Sequence, residues 1–90
     1  MRVLEKNPNM LVPYYLMFSY LYYEKNISLI EDTEFDKLCQ TLLEKYDSVE
    51  HMHKHLVSKE SLTAGTGYDI KYNNRIIGGA MLLQKEWTNA

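Results

Sequence analysis

Residues 11–22 have the sequence LVPYYLMFSYLY, a segment dense in apolar and aromatic side chains. These side chains recur every three or four residues, which is the period of one face of an α-helix. Pro13 fits only the first turn of such a helix, because a later proline removes a backbone hydrogen bond. The spacing predicts a first helix that begins near residues 10 to 12. The apolar residues at this helical spacing are Leu11, Tyr14, Tyr15, Phe18, Leu21 and Tyr22.

A second helix is predicted from about Thr33 to Tyr46. Asp32 precedes it as an N-cap, and Glu34 places negative charge in the positively polarised first turn. The helical spacing of its apolar residues predicts one buried stripe. That stripe is Phe35, Leu38, Cys39, Leu42 and Tyr46.

A shorter third helix is predicted to follow. Ser48 is its N-cap, and the helix is expected to end near Ser58. Three apolar residues at helical spacing share one face of it: Val49, Met52 and Leu56.

The C-terminal part of the chain predicts β-structure. Tyr68, Ile70 and Tyr72 alternate with polar residues up to Asn73-Asn74, a dipeptide suited to a two-residue hairpin turn. Residues 75–77 form the expected return strand, and the glycine pair after them ends the pairing. The segment after the glycines fits either a third short strand or a terminal helix, and its residues leave both interpretations open.

The predicted fold class is α+β, in a single domain of residues 1–90. Residues 10–58 supply a helical hairpin and the short third helix, and residues 59–90 supply a loop and a small C-terminal β-hairpin. The 90 residues are 46% hydrophobic and 24% charged, which leaves room for one modest core.

Charge and cysteine content narrow the function classes. The net charge of -2 gives no general attraction to phosphate, so strong nucleic-acid binding is not expected. A single cysteine, Cys39, excludes an intramolecular disulfide and is typical of a reducing compartment. The N-terminal residues carry charges where a signal peptide has its apolar run, and no apolar stretch approaches the ~18 residues of a membrane span. We therefore expect a cytoplasmic protein with no membrane partner.

Three histidines occur at alternate positions: His51, His53 and His55. On a strand all three would share one face and approach a metal together, whereas on the predicted third helix only His51 and His55 do. A zinc site also needs further ligands that the sequence does not place nearby. We expect a solvated helix face and no metal site.

The corner between the first two predicted helices combines aromatic and acidic side chains. Tyr22 and Tyr23 close the first helix, and Asp32, Glu34 and Asp36 open the second. Aromatic faces attract cations and carboxylates add charge and hydrogen-bond acceptors, so such a corner can hold a flat cationic ring. The same residues also fit a structural role, because aromatics at helical spacing are often core and acids in a first turn stabilise the helix dipole.

The stretch from Tyr22 to Leu38 resembles the helical corner that opens the small N-terminal domain of bacterial NAD-dependent DNA ligases. The family pattern is Y-H, eight varied residues, then D-x-E-Y-D-x-L. The chain meets this pattern without a gap at Tyr22, Asp32, Glu34, Asp36 and Leu38. Tyr23 stands where the family has histidine, and Phe35 where it has a second tyrosine. The resemblance covers about Tyr14 to Leu43.

In those ligases the corner grips the nicotinamide mononucleotide half of NAD and folds onto the nucleotidyltransferase domain. The resemblance therefore implies a site for NAD or nicotinamide mononucleotide (NMN), although the residues by themselves establish no cofactor. The implied site residues are Tyr22, Tyr23, Asp32, Phe35 and Asp36. Phe35 keeps the aromatic surface but lacks the hydroxyl that tyrosine would donate.

The chain is not expected to be an enzyme. It contains no K-x-D-G, the motif of the ligases' adenylated lysine, and no recognisable nucleophile and base pair, metal set or phosphate loop. We predict a non-catalytic binding module that recognises a nicotinamide nucleotide or a ligase-like partner domain. The alternative is a small protein–protein interaction or inhibitor protein, of the kind that a phage or other mobile element encodes. Its eight tyrosines favour that alternative, because interfaces are enriched in tyrosine.

Overall fold

The computed structural model describes residues 8–64 and 70–88. Within these ranges it has four α-helices: α1 (Leu11–Glu24), α2 (Asp32–Lys45), α3 (Lys59–Ala64) and α4 (Asn74–Thr88). Short 3-10 turns at Pro8–Met10 and Lys54–Leu56 precede α1 and α3. The described ranges contain no strand, so the predicted α+β class is wrong and the fold is helical.

Helix α1 is apolar on nearly its whole circumference. Its 14 residues begin where predicted, but burial is not confined to one stripe. The buried residues are Leu11, Val12, Pro13, Tyr15, Leu16, Phe18, Ser19, Tyr20 and Leu21. A helix of this kind has to be covered on more than one side, and both α2 and α4 pack against it. None of the described helices has the length and apolar character needed to cross a membrane.

Helix α2 confirms the second predicted helix, with its start shifted by one residue. Asp32 is the first helical residue, and Glu31 occupies the N-cap position in extended conformation without a side-chain cap hydrogen bond. The prediction that Asp32 is the N-cap is therefore wrong. Leu38, Cys39 and Leu42 are buried as predicted and turn this face of α2 toward the core.

The predicted helix over residues 48–58 is wrong. The Ser48 hydroxyl donates to the Lys45 carbonyl at the end of α2, so it does not cap a new helix. The Tyr46 hydroxyl donates to the Val57 carbonyl over 2.8 Å and folds this segment back on α2. The third helix begins later: Ser58 precedes α3, and its Oγ accepts the Ser61 backbone N–H. Ser58 therefore lies just before the start of a helix, whereas the sequence predicted that a helix ends there.

The predicted β-hairpin is also wrong, because Asn73 caps a helix instead of forming a turn. Its Oδ1 accepts the backbone N–H of Ile76 over 3.0 Å, one turn into α4. Asparagine is favoured both in tight turns and at N-caps, so the dipeptide has two interpretations in the sequence. Ile70 and Tyr72 lie in the irregular segment before α4 and pack against the core. Tyr68 of the predicted strand lies outside the described residues.

The expected return strand and the segment after it form one helix, α4. Ile76, Ala80 and Leu83 are buried at helical spacing. Gly79 lies at the close approach between α4 and α1, where a Cβ atom would be 3.1 Å from Met17 Sδ. Gly78 faces open space. The glycine pair therefore lies inside a helix and does not end an element.

Gly78→Ala is expected to raise the free energy of unfolding by about 0.5–1 kcal/mol, because alanine loses less backbone entropy than glycine in a helix. The added methyl group meets no atom within 4 Å. Gly79→Ala is the matched comparison and is expected to gain less, since its methyl group crowds Met17. Urea unfolding of both variants measures the difference. A clear loss of stability in Gly78→Ala would contradict a helix at this position.

Leu38→Ala is expected to lower the free energy of unfolding by about 2–5 kcal/mol, the range for truncation of a buried leucine. Leu38 is 3% exposed and belongs to the main core cluster. The exposed neighbour gives the control, because Lys37→Ala leaves the core intact. Thermal unfolding that shows equal midpoints for the two variants would place Leu38 outside the core.

Candidate functional site

A pocket of about 270 Å³ lies in the corner between α1 and α2 and is called the corner pocket below. It is lined by Phe18, Tyr22, Tyr23, Ser28, Leu29, Ile30, Asp32, Phe35 and Asp36. All five residues predicted for a ligand site, Tyr22, Tyr23, Asp32, Phe35 and Asp36, are in this lining. The structure therefore brings the end of α1 and the start of α2 together around one cavity.

Helix α2 places three of these side chains on one face. Asp32, Phe35 and Asp36 stand at positions i, i+3 and i+4, which are neighbours on a helix surface. The Phe35 ring stacks on Tyr15, with the ring centroids 5.8 Å apart and the planes inclined by 22°. Tyr15 is fully buried, so the core holds Phe35 from behind. The carboxylate of Asp32 thus lies one turn before Phe35 on this face, and that of Asp36 lies directly after it.

Helix α1 supplies the other aromatic side chains. Phe18 is buried, and Tyr22 follows it one turn later on the same face. Tyr22 is 45% exposed and Tyr23 is 37% exposed. Their rings meet edge to face, with centroids 4.8 Å apart and an angle of 77° between the planes. Helix α1 thus lines the pocket with one buried aromatic ring, Phe18, and two exposed ones, Tyr22 and Tyr23.

The segment between the helices turns sharply at the end of α1. The backbone N–H groups of Lys25 and Ile27 both donate to the Leu21 carbonyl, over 3.2 and 2.8 Å. Asn26 between them has a φ of 56°, a left-handed conformation that asparagine tolerates better than most residues. This turn directs the chain back across the corner toward α2.

Four lining residues were not predicted from the sequence: Phe18, Ser28, Leu29 and Ile30. Phe18 lies one helical turn before Tyr22, so helical spacing alone was sufficient to predict it as a lining residue. The other three lie between the helices, where no periodicity reports which side chain points inward. The Ser28 hydroxyl donates to the Ile30 carbonyl over 2.7 Å and closes this segment locally.

Among the described residues, the side chains that line the corner pocket include two carboxylates, Asp32 and Asp36, and no lysine, arginine or histidine. Glu34 is exposed on the same turn of α2 but outside the lining. The pocket can therefore accept a cation and hydrogen-bond donors against aromatic surfaces.

Cys39 lies one turn beyond Asp36 on α2 and is buried. Burial and, to a smaller extent, the charge of Asp36 together raise the pKa of its thiol to about 12. The thiol stays protonated at neutral pH and is not an activated nucleophile. Its place in the core agrees with the predicted stripe of α2.

The three histidines lie in the segment before α3 and not on a helix face as predicted. His53 is buried, and its Nδ1 is 3.2 Å from the side-chain nitrogen of Asn73. Its backbone N–H donates to Nδ1 of His51. Within residues 8–64 and 70–88, no group of three or more histidine, cysteine or acidic side chains is arranged to hold a metal ion.

His53 connects this segment to the start of α4. Burial lowers the pKa of His53, and the charges of His51, Arg75 and His55 lower it further. The neutral ring accepts the Asn73 amide at Nδ1, whereas a protonated ring would present a donor to a donor. The contact therefore favours the neutral histidine.

Stability is expected to fall as the pH decreases from about 7 to about 5, because the unfolded chain takes up a proton near pH ~6.5 that folded His53 resists. His53→Gln should reduce this pH dependence. His55→Gln, at an exposed position, is the control and should retain it. Urea unfolding across this pH range gives the slopes. Equal slopes for the wild type and His53→Gln would show that other groups cause the dependence.

No protein-family model, no curated protein and no solved structure matches the chain.

Proposed function

We propose that this protein is a non-catalytic module that binds the nicotinamide end of a nicotinamide nucleotide in the corner pocket. One observation carries the proposal: the five residues that the sequence motif predicts for the site line the same cavity. They come from two helices and are separated by a turn of the chain. The resemblance to the N-terminal domain of NAD-dependent DNA ligases supplies the ligand class.

The chemistry of the lining supports this ligand. The oxidised nicotinamide ring is flat and positively charged, and aromatic faces attract such a cation. Asp32 and Asp36 add opposite charge and hydrogen-bond acceptors for the carboxamide N–H groups. Pockets for small molecules span roughly 300–1,000 Å³. At about 270 Å³, the corner pocket suits the ring and its sugar better than a whole dinucleotide.

The two departures from the ligase pattern alter the site without removing its surfaces. Phe35 lacks a hydroxyl but rests on the buried ring of Tyr15, which fixes its position. Tyr23 replaces a histidine and supplies a ring with a hydroxyl that can donate or accept. Stacking and charge are the interactions that we assign to this site.

We propose binding and not catalysis for three chemical reasons. The K-x-D-G lysine motif of the ligases does not occur in the sequence. The buried Cys39 thiol stays protonated. The lining consists of aromatic, aliphatic, hydroxyl and carboxylate side chains, which bind and orient a ligand.

A second candidate is a protein–protein interaction module. Helix α4 exposes two adjacent apolar side chains, Met81 at 47% and Leu82 at 58%, on an element that does not line the corner pocket. Exposed apolar side chains of this kind are common in binding surfaces. This candidate requires no nucleotide, so a ligand titration separates the two.

Asp36→Asn is expected to weaken binding of oxidised NMN by about 1 kcal/mol more than binding of the uncharged reduced ring, because the lost carboxylate attracts only the cation. Isothermal titration calorimetry of the wild type and the variant measures this difference. Folding should be unchanged, since Asp36 is exposed and lies beyond the first turn of α2.

The control for this experiment is Glu34→Gln. It removes one charge from the same helix, at an exposed position outside the lining. Its effect on the affinity is expected to stay within about twofold, as for a solvent-screened charge. If the wild type binds neither form of the nucleotide at concentrations on the order of millimolar, the proposed function fails and the interaction module takes its place.

A further inference from the structure

We propose that the corner pocket selects a cationic pyridinium ligand without a phosphate, so that nicotinamide riboside binds more tightly than NMN. This inference rests on the proposed function, because it concerns the same pocket. The observation behind it is the sign of the charges around the cavity: among residues 8–64 and 70–88, the lining has carboxylates and no cationic side chain.

The ring and the phosphate of NMN carry opposite charges, so the carboxylates of the pocket act on them in opposite ways. Asp32 and Asp36 both belong to the lining, where they attract the positive ring. A phosphate monoester carries about -1.5 to -2 charges at neutral pH and lies within a few bonds of that ring. The same two carboxylates therefore repel the phosphate. The riboside has the ring and the sugar and lacks this repulsion.

The N-terminus of α2 does not compensate for the missing cations. Free backbone N–H groups at a helix start favour anions. In this chain, however, Glu31, Asp32 and Glu34 place three carboxylates at that end of α2. Their charges already complement the helix dipole, and Asp32, which lines the pocket, repels a further anion.

The nearest lysines in the sequence lie outside the lining. Lys25 follows the last residue of α1, and Lys37 follows Asp36 on α2. Both are exposed, and neither contributes to the cavity wall. In the part of the chain that the structure describes, the cavity wall therefore offers no positive charge to the phosphate of a ligand.

The test compares nicotinamide riboside and NMN by calorimetric titration of the full chain at low ionic strength. We expect the riboside to bind at least about threefold more tightly, a difference that shrinks in high salt because the repulsion is screened. Asp36→Asn should bring the two affinities closer together. Glu34→Gln should leave their ratio nearly unchanged, since that carboxylate is outside the lining.

Equal or tighter binding of NMN would overturn this inference while leaving the proposed function intact. If Lys37→Gln then abolished the advantage of NMN, the phosphate partner would be that lysine. Absence of binding for both ligands would contradict the proposed function itself, and this inference with it.

Discussion

The burial of α1 is the constraint on which the rest of the structure depends. Nine of its 14 residues are buried, and they are distributed around the helix. One neighbouring helix covers only one side of such an element, so a second has to cover the other. Helix α2 packs on one side, and α4 packs on α1 where Gly79 allows close approach to Met17. This requirement explains why the C-terminal segment packs against α1.

The same burial positions the candidate site. Tyr15 belongs to the core of α1 and carries Phe35 of α2 on its ring, so one aromatic contact joins the core to the pocket. Further along α1 the covering ends, and Tyr22 and Tyr23 reach solvent beside the cavity. The pocket lies where the apolar surface of α1 extends beyond the helices that bury the rest of α1. A flat aromatic ligand would complete this cover.

The sequence allowed prediction of the first two helices and of five pocket residues, because helical periodicity and a spaced motif report directly on one helix pair. It left the segment after Gly79 open between a short strand and a terminal helix, and it did not predict that α4 begins at Asn74. Asn73 serves equally as a turn residue and as an N-cap, and a glycine pair usually interrupts helices. The uncovered side of α1, visible in Val12, Leu16 and Tyr20, argues for an element packed against it. That reasoning needs three-dimensional packing, as does the inward direction of Leu29 and Ile30.

The most direct test of this account is an isotope-filtered nuclear Overhauser experiment with labelled protein and unlabelled oxidised nicotinamide riboside. The account predicts contacts between the protons of the nicotinamide ring and the aromatic protons of Phe35, Tyr22 and Tyr23, which line the pocket together. Contacts of the bound ring with Met81 and Leu82 on α4, without contacts to Phe35, would contradict it.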